Sequence, residues 1–201
     1  MTDPVTEPAP ADPGPHGSLW STASTQAVDR FDAAVDEAWG RAFRGRPLAD
    51  RVFYLASELG DFSVLWLLIA AAQGLRSDAD ADESIRLSLL LLAESVLVNQ
   101  GIKRLVHRPR PTTEDPRPHH VRQPLTSSFP SGHASSALAA AGIMSRRHPR
   151  AAPLYYGLAA VVATSRIHVK VHHASDVLAG AAIGIGFARL AGRIWPPPGE
   201  R

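Results

Sequence analysis

Five long apolar segments constrain this chain more than anything else in it. They run over about Val52–Leu75, Ile85–Ile102, Ala134–Ser145, Ala151–Ile167 and Val177–Trp195. Each is rich in Ala and Leu and lacks the strict apolar–polar alternation of a half-buried strand, so each reads as a helix. Ahead of them, Ser24–Arg44 has the pattern of an amphipathic helix. Ala27, Phe31, Ala34, Val35, Ala38, Trp39 and Phe43 approximate one face, Asp29, Asp32, Asp36 and Arg41 lie elsewhere, and Pro47 ends it. The expected fold class is therefore all-α. Residues 19–195 would form one domain between a disordered, Pro- and Ala-rich tail over 1–18 and a second Pro-rich tail over 196–201. The first tail has no basic start followed by an apolar core, so it does not read as a secretory signal.

Whether these helices cross a bilayer is not decided by composition. Charge-free runs such as Phe62–Leu75 and Ala151–Ser165 fall short of the roughly 18–20 residues of a clean span, and Glu94 interrupts the second segment. A soluble helical bundle competes on these grounds. Two features favour the bilayer. Small residues cluster where close packing in lipid uses them, at Ala139–Gly142 and Gly180–Gly186. The run Arg146-Arg147-His148-Pro149-Arg150 joins two apolar segments, as a cytoplasmic loop does under the positive-inside rule. The expectation is an integral membrane bundle of about five spanning helices plus an N-terminal amphipathic helix at the interface. With Arg146–Arg150 inside, Lys103, Arg110, His133, Arg166, His172 and Asp176 all fall on the extracytoplasmic face.

Those polar residues form three short stretches. Lys103 is followed after six residues by Arg110-Pro111, then come Pro130-Ser131-Gly132-His133, and last Ser165-Arg166 with His172 and Asp176 beyond. Together they hold two histidines, three fixed cations, a serine, a glycine amide and a carboxylate, which is what phosphoryl transfer through a histidine needs. Asp176 lies four residues after His172, so one helical turn can bring them together. Gly132 lets backbone approach an anion at a helix N-terminus. The chain has no cysteine, which excludes disulfides, thiolate zinc sites and cysteine nucleophiles. Arg104, Arg108, Arg110, Arg117 and Arg122 crowd one Pro-rich stretch with His107, His119 and His120. That spacing argues against a recognition helix, and no aromatic residues interleave to stack bases, so nucleic acid is not an expected partner.

Other polar residues have plainer readings. His168 and His172 stand four apart, as a metal pair would, but no HExxH pattern or cysteine supports one. His119 and His120 read as solvated loop residues. His107 and Arg108 sit at the mouth of the first stretch, and Lys170 and His173 flank His172. Glu94 and Asn99 read first as polar glue inside the bundle, and second as support around the site.

The three stretches resemble the three signature motifs of the type 2 phosphatidic acid phosphatase superfamily, which also contains bacterial acid phosphatases and vanadium haloperoxidases. The motifs cover Lys103 to Asp176, no signature position departs from the pattern, and the helical segments extend the likeness from about Val52 to Trp195. The resemblance implies a metal-independent phosphatase without a cofactor. His172 would be the nucleophile, Asp176 its orienting carboxylate and His133 the acid for the leaving oxygen. Lys103, Arg110, Ser131, Gly132 and Arg166 would cradle the phosphoryl oxygens. Expected substrates are lipid phosphates or diphosphates, polyprenyl or glycerolipid, at the cell membrane. A soluble acid phosphatase of the same superfamily and a non-catalytic lipid-phosphate binding or transport protein are the alternatives.

Overall fold

In the computed structural model, residues 22–112, 118–119, 121 and 126–197 are described, so the expected N-terminal tail, His120 and most of the C-terminal tail lie outside the described residues. Among the described residues every regular element is helical. The helices are α1 (Thr22–Phe43), α2 (Pro47–Gly60), α3 (Val64–Gly74), α4 (Asp78–Val96), α5 (Lys103–Leu105), α6 (Gly132–Arg147), α7 (Ala152–His168) and α8 (Ala174–Ile194).

The sequence pattern predicts one helix over Val52–Leu75, and the structure corrects this. The chain breaks at a single 3-10 turn, Asp61–Ser63, where Phe62 and Ser63 have φ of 52° and 60°. Left-handed backbone at two successive non-glycine residues ends α2 and re-aims α3. The second segment also differs. A π-turn over Leu97–Ile102 links α4 to α5 and carries Lys103 on beyond the apolar run. Such a turn widens the helix and shifts the register of the residues after it.

The bundle is built around α6. Its Ala134, Ala137, Ala139, Ala140 and Ala141 are fully buried, so neighbouring backbones pack against almost bare helix. Glycines on α8 complete the fit. A Cβ on Gly184 would lie 2.1 Å from the Ser135 carbonyl oxygen, and one on Gly180 2.3 Å from that of Ser131. Side chains at these two positions would force α8 off α6. Trp66, Leu87, Leu91, Ile143 and Tyr155 fill the core where α3, α4 and α7 meet α6.

Three helical stretches are long and apolar enough to cross a membrane: Pro47–Gly74, Asp78–Leu105 and Ala174–Ile194. Helices α6 and α7 have 16 and 17 residues, and α6 is the inner one. The outer faces are apolar rather than polar. Leu48, Leu55, Phe62, Leu68, Ile85, Leu92, Leu154, Leu178 and Ile194 are all more than half exposed, a surface that water disfavours and lipid does not.

Helix α1 is not merely a surface element. Val35 and Trp39 pack on a cluster of Ala134, Ala163, Ile167, Ala174 and Val177. The Arg44 guanidinium donates to the carbonyls of Ile167 and His168. Asp32 falls on the polar side of the sequence pattern, yet it is only 5% exposed, because Arg108 and Ser175 pair with it.

Candidate active site

The three polar stretches converge at the end of the bundle where α6 begins and α7 ends. The basic Arg146–Arg150 run lies at the other end of α6, one helix length of roughly 24 Å away. A cavity of about 760 Å³ opens there, lined by Lys103, Gly132, His133, Arg166 and His172, with Asp61, Asn99, Ser127 and His107 beside them. Its wall continues along Leu67, Leu91 and Leu92 between α3 and α4.

Each side chain is placed by its own element. Ser131 is the N-cap of α6. Its hydroxyl accepts the Ala134 N–H at 3.4 Å, and its own N–H donates to the Asp176 carbonyl at 3.0 Å. Ser131 is fully buried, and it is the half-buried neighbours Gly132 and His133 that face the cavity. Lys103 enters from α5 toward Gly132, whose Cβ, if present, would lie 3.8 Å from Nζ. Arg166 reaches in from the last turn of α7 and donates to the Ser57 hydroxyl. Arg110 stands behind His172, tied through Nη1 to the Val171 carbonyl at 2.9 Å and through Nη2 to the Thr126 and Ser127 carbonyls at 3.1 and 3.2 Å.

His172 sits in the short α7–α8 loop and is buried. Its Nε2 lies 3.4 Å from Arg110 Nη1. Its Nδ1 is 3.6 Å from Asp176 Oδ2 and has no hydrogen-bond partner among the described residues. Burial, with the Arg166 and Arg110 charges adding to it and Asp176 partly opposing, pushes the His172 imidazole down to about 3. The ring is therefore neutral at physiological pH, the form that can act as a nucleophile.

Asp176 is fully buried and saturated by other donors. Oδ1 accepts from Arg108 Nη1 at 2.7 Å, and Oδ2 accepts from the Ser128 hydroxyl and from the His173 N–H at 2.9 Å. Arg108 reaches on to Asp32 Oδ2 at 2.7 Å, and Asp32 accepts the Ser175 N–H and hydroxyl at 2.8 and 2.7 Å. This chain of contacts from α1 to Asp176 is not legible as a motif. Arg108 stands two residues before the signature arginine, and its position in the sequence suggests only the mouth; the structure turns it inward, onto the carboxylate. Ser128 precedes the second motif and carries no signal by itself.

The remaining polar residues separate cleanly. His168 spends both ring nitrogens, Nδ1 on Trp39 Nε1 at 3.2 Å and Nε2 on Asp50 at 2.9 Å, so it does not pair with His172. Among the described residues no group of three or more His, Asp or Glu side chains is placed to hold a metal ion. Glu94 is buried and accepts the Ser135 hydroxyl, joining α4 to α6. Asn99, expected as interior glue, instead lines the cavity, with Oδ1 3.3 Å from where a Gly132 Cβ would be. His119 packs edge-on against Tyr54. Lys170 pairs with Asp36 at 3.5 Å, and His173 caps α8.

A helical bundle that gathers two imidazoles, Lys103 and Arg166 around one cavity, with the Asp176 carboxylate and Arg110 behind His172, has the groups that phosphoryl transfer uses. Residues 85–198 match the family model of the PAP2 superfamily, and the chain belongs to it and is a phosphatase of that type. The chain is similar to the decaprenylphosphoryl-5-phosphoribose phosphatase of Mycolicibacterium smegmatis, with 34% identity over 75% of this chain and 82% of that one. It is also similar to the protein of that name from Mycobacterium tuberculosis, with 36% identity over 68% of this chain and 78% of that one. The fold is that of a transmembrane PAP2 type phosphatidylglycerolphosphate phosphatase from Bacillus subtilis, with a TM-score of 0.66, 22% identity and 88% coverage of both chains.

Proposed function

We propose that this protein is a multi-pass membrane phosphatase that removes phosphate from a lipid phosphate or diphosphate through a phosphohistidine, without a metal. The observation that carries the reading is the two-part cavity. Its polar end holds His172, His133, Lys103 and Arg166, and its wall of Leu67, Leu91 and Leu92 opens between two apolar helices. A phosphate head and an apolar chain fit those two parts. Among lipid phosphates, the names of the curated relatives favour a polyprenyl-linked sugar phosphate over a glycerolipid.

In this mechanism His172 Nε2 attacks phosphorus while the bond to the leaving oxygen breaks. His133 gives that oxygen a proton. Water then attacks the phosphohistidine, the P–N bond breaks, and His133 takes the proton from water. Lys103, Arg110, Arg166 and the Gly132 N–H face the charge that grows on the phosphoryl oxygens, the task a metal performs elsewhere. Ser131 supports the cradle by capping α6, and Asp176 stabilises the imidazolium formed at His172.

We further propose that α6 and α7 complete five spans with the other three stretches, that α1 lies at the interface, and that the cavity faces the extracytoplasmic side. Phosphate release from polyprenyl sugar phosphates and glycerolipid phosphates in detergent, with EDTA present, tests the activity. Release that depends on added zinc or magnesium overturns the metal-free mechanism. Because the chain has no cysteine, Thr112→Cys and Arg150→Cys can be labelled in intact cells with an impermeant thiol reagent. The first should label and the second should not, and the reverse pattern inverts the topology.

A further inference from the structure

His133 is seated by a stretch of chain that lies outside all three signature motifs. Its Nε2 lies 3.1 Å from Asp61 Oδ1 and 3.2 Å from the Ser57 carbonyl oxygen. Ser57 lies in the last turn of α2, and Asp61 opens the 3-10 turn where the helix breaks. Gly60 makes the room: a Cβ there would come within 2.6 Å of His133 Cδ2 and 2.9 Å of Val162 Cγ1. Directly after Asp61 come Phe62 and Ser63, both in the left-handed region. Such residues cost on the order of 1–3 kcal/mol each and persist where surrounding structure imposes them. The strained turn thus adjoins a small residue that admits the ring and a carboxylate that meets it. Ser57, in the last turn of α2, also receives Arg166 through its hydroxyl.

With two acceptors on Nε2, the hydrogen of the neutral ring belongs on that nitrogen, and Nδ1 is left to meet a substrate oxygen. We propose that Asp61 is a positioning residue for the reaction, holding His133 in the Nε2–H tautomer and balancing the imidazolium as it loads and gives up its Nδ1 proton. The inference rests on the proposed role of His133 as the acid. As the P–O bond breaks, its electron pair goes to the leaving oxygen, which takes the Nδ1 proton. His133 is left neutral with Nε2–H still donated to Asp61. When water later attacks the phosphohistidine, its proton returns to Nδ1. Arg166, on α7, faces His133 with a charge of the same sign as the imidazolium; Asp61, half-buried and 28% exposed at its side chain, is the opposing charge.

Histidine labelled with ¹⁵N, in the full-length protein in micelles, reads the contact directly, with His133 assigned by loss of its signals in His133→Gln. The wild-type ring should be the Nε2–H tautomer at alkaline pH, and Asp61→Asn should move its Nε2 resonance. In kinetics, Asp61→Asn should lower kcat on an alkyl phosphate by about tenfold or more, with KM within about threefold. The loss should shrink on an aryl phosphate, whose leaving group needs no proton. A wild-type Nδ1–H tautomer overturns the proposal without any variant. So does an unmoved His133 resonance in folded Asp61→Asn, or an equal loss on both leaving groups. If wild-type protein releases no phosphate from any lipid phosphate while the tautomer is as expected, the reading of the function fails and the hold of Asp61 on the ring stands.

Discussion

The two imidazoles of the cavity are held in opposite ways. His172 belongs to the signature, as does its carboxylate, yet the two stand 3.6 Å apart and Nδ1 has no hydrogen-bond partner among the described residues. His133 also belongs to the signature, but its carboxylate, Asp61, does not, and that pair is closer at 3.1 Å. Asp176 spends itself instead on Arg108, Ser128 and the His173 N–H. The lesson is that the signature side chains and the groups that aim them need not share a motif. Each seat is finished by an N-terminal segment: α1 reaches Asp176 through Asp32 and Arg108, and α2 with the turn after it reaches His133 through Ser57 and Asp61.

The largest expected effect tests whether the His172 seat is the covalent one. His172→Asn should cut kcat by about 10³-fold or more and leave no acid-labile phosphoprotein on rapid quench. Substantial turnover would exchange the roles of the two seats. Next, His133→Gln should lower kcat by about 10²–10⁴-fold on alkyl leaving groups. Phosphohistidine should still form from an aryl phosphate in that variant, which separates the acid from the nucleophile.

Arg108→Gln probes the support behind His172. It leaves the buried Asp176 carboxylate short of its cation, and the cost should be about 3 kcal/mol of stability, read from the thermal melt in detergent. Asp32→Asn should do less, because Arg108 keeps Asp176. If both variants melt like wild type, the α1 connection carries no load and the contrast between the seats reduces to the signature alone.

The last effect is in pH. His172 is held below its ordinary value, so the unfolded chain binds a proton that the folded one refuses. Stability should therefore be fully present above about pH 6.5 and fall as pH drops toward about 3. His172→Asn should make that fall shallower, and an unchanged melt-versus-pH curve would place the ring in a far more polar setting than its burial suggests.

Much of this protein is legible in its sequence. The long Ala- and Leu-rich segments require helices, because no alternation offers a strand face, and the order of the three stretches requires that their residues meet once those helices pack antiparallel. Small residues on α6 and α8 announce a close contact. The sequence does not announce the break inside Val52–Leu75. Apolar periodicity runs through it, and only the structure shows that the turn follows directly on Gly60, which packs against the His133 ring and Val162. Nor does it show Asp32 as buried, since a carboxylate on a helix is solvated by default until a partner such as Arg108, 76 residues away, removes the need for water. Periodicity and local spacing are properties of neighbours in the chain, and they determined the helices and the signature groups. The orientation of those groups depends on charges and carbonyls brought from distant helices, and only the tertiary structure decided it.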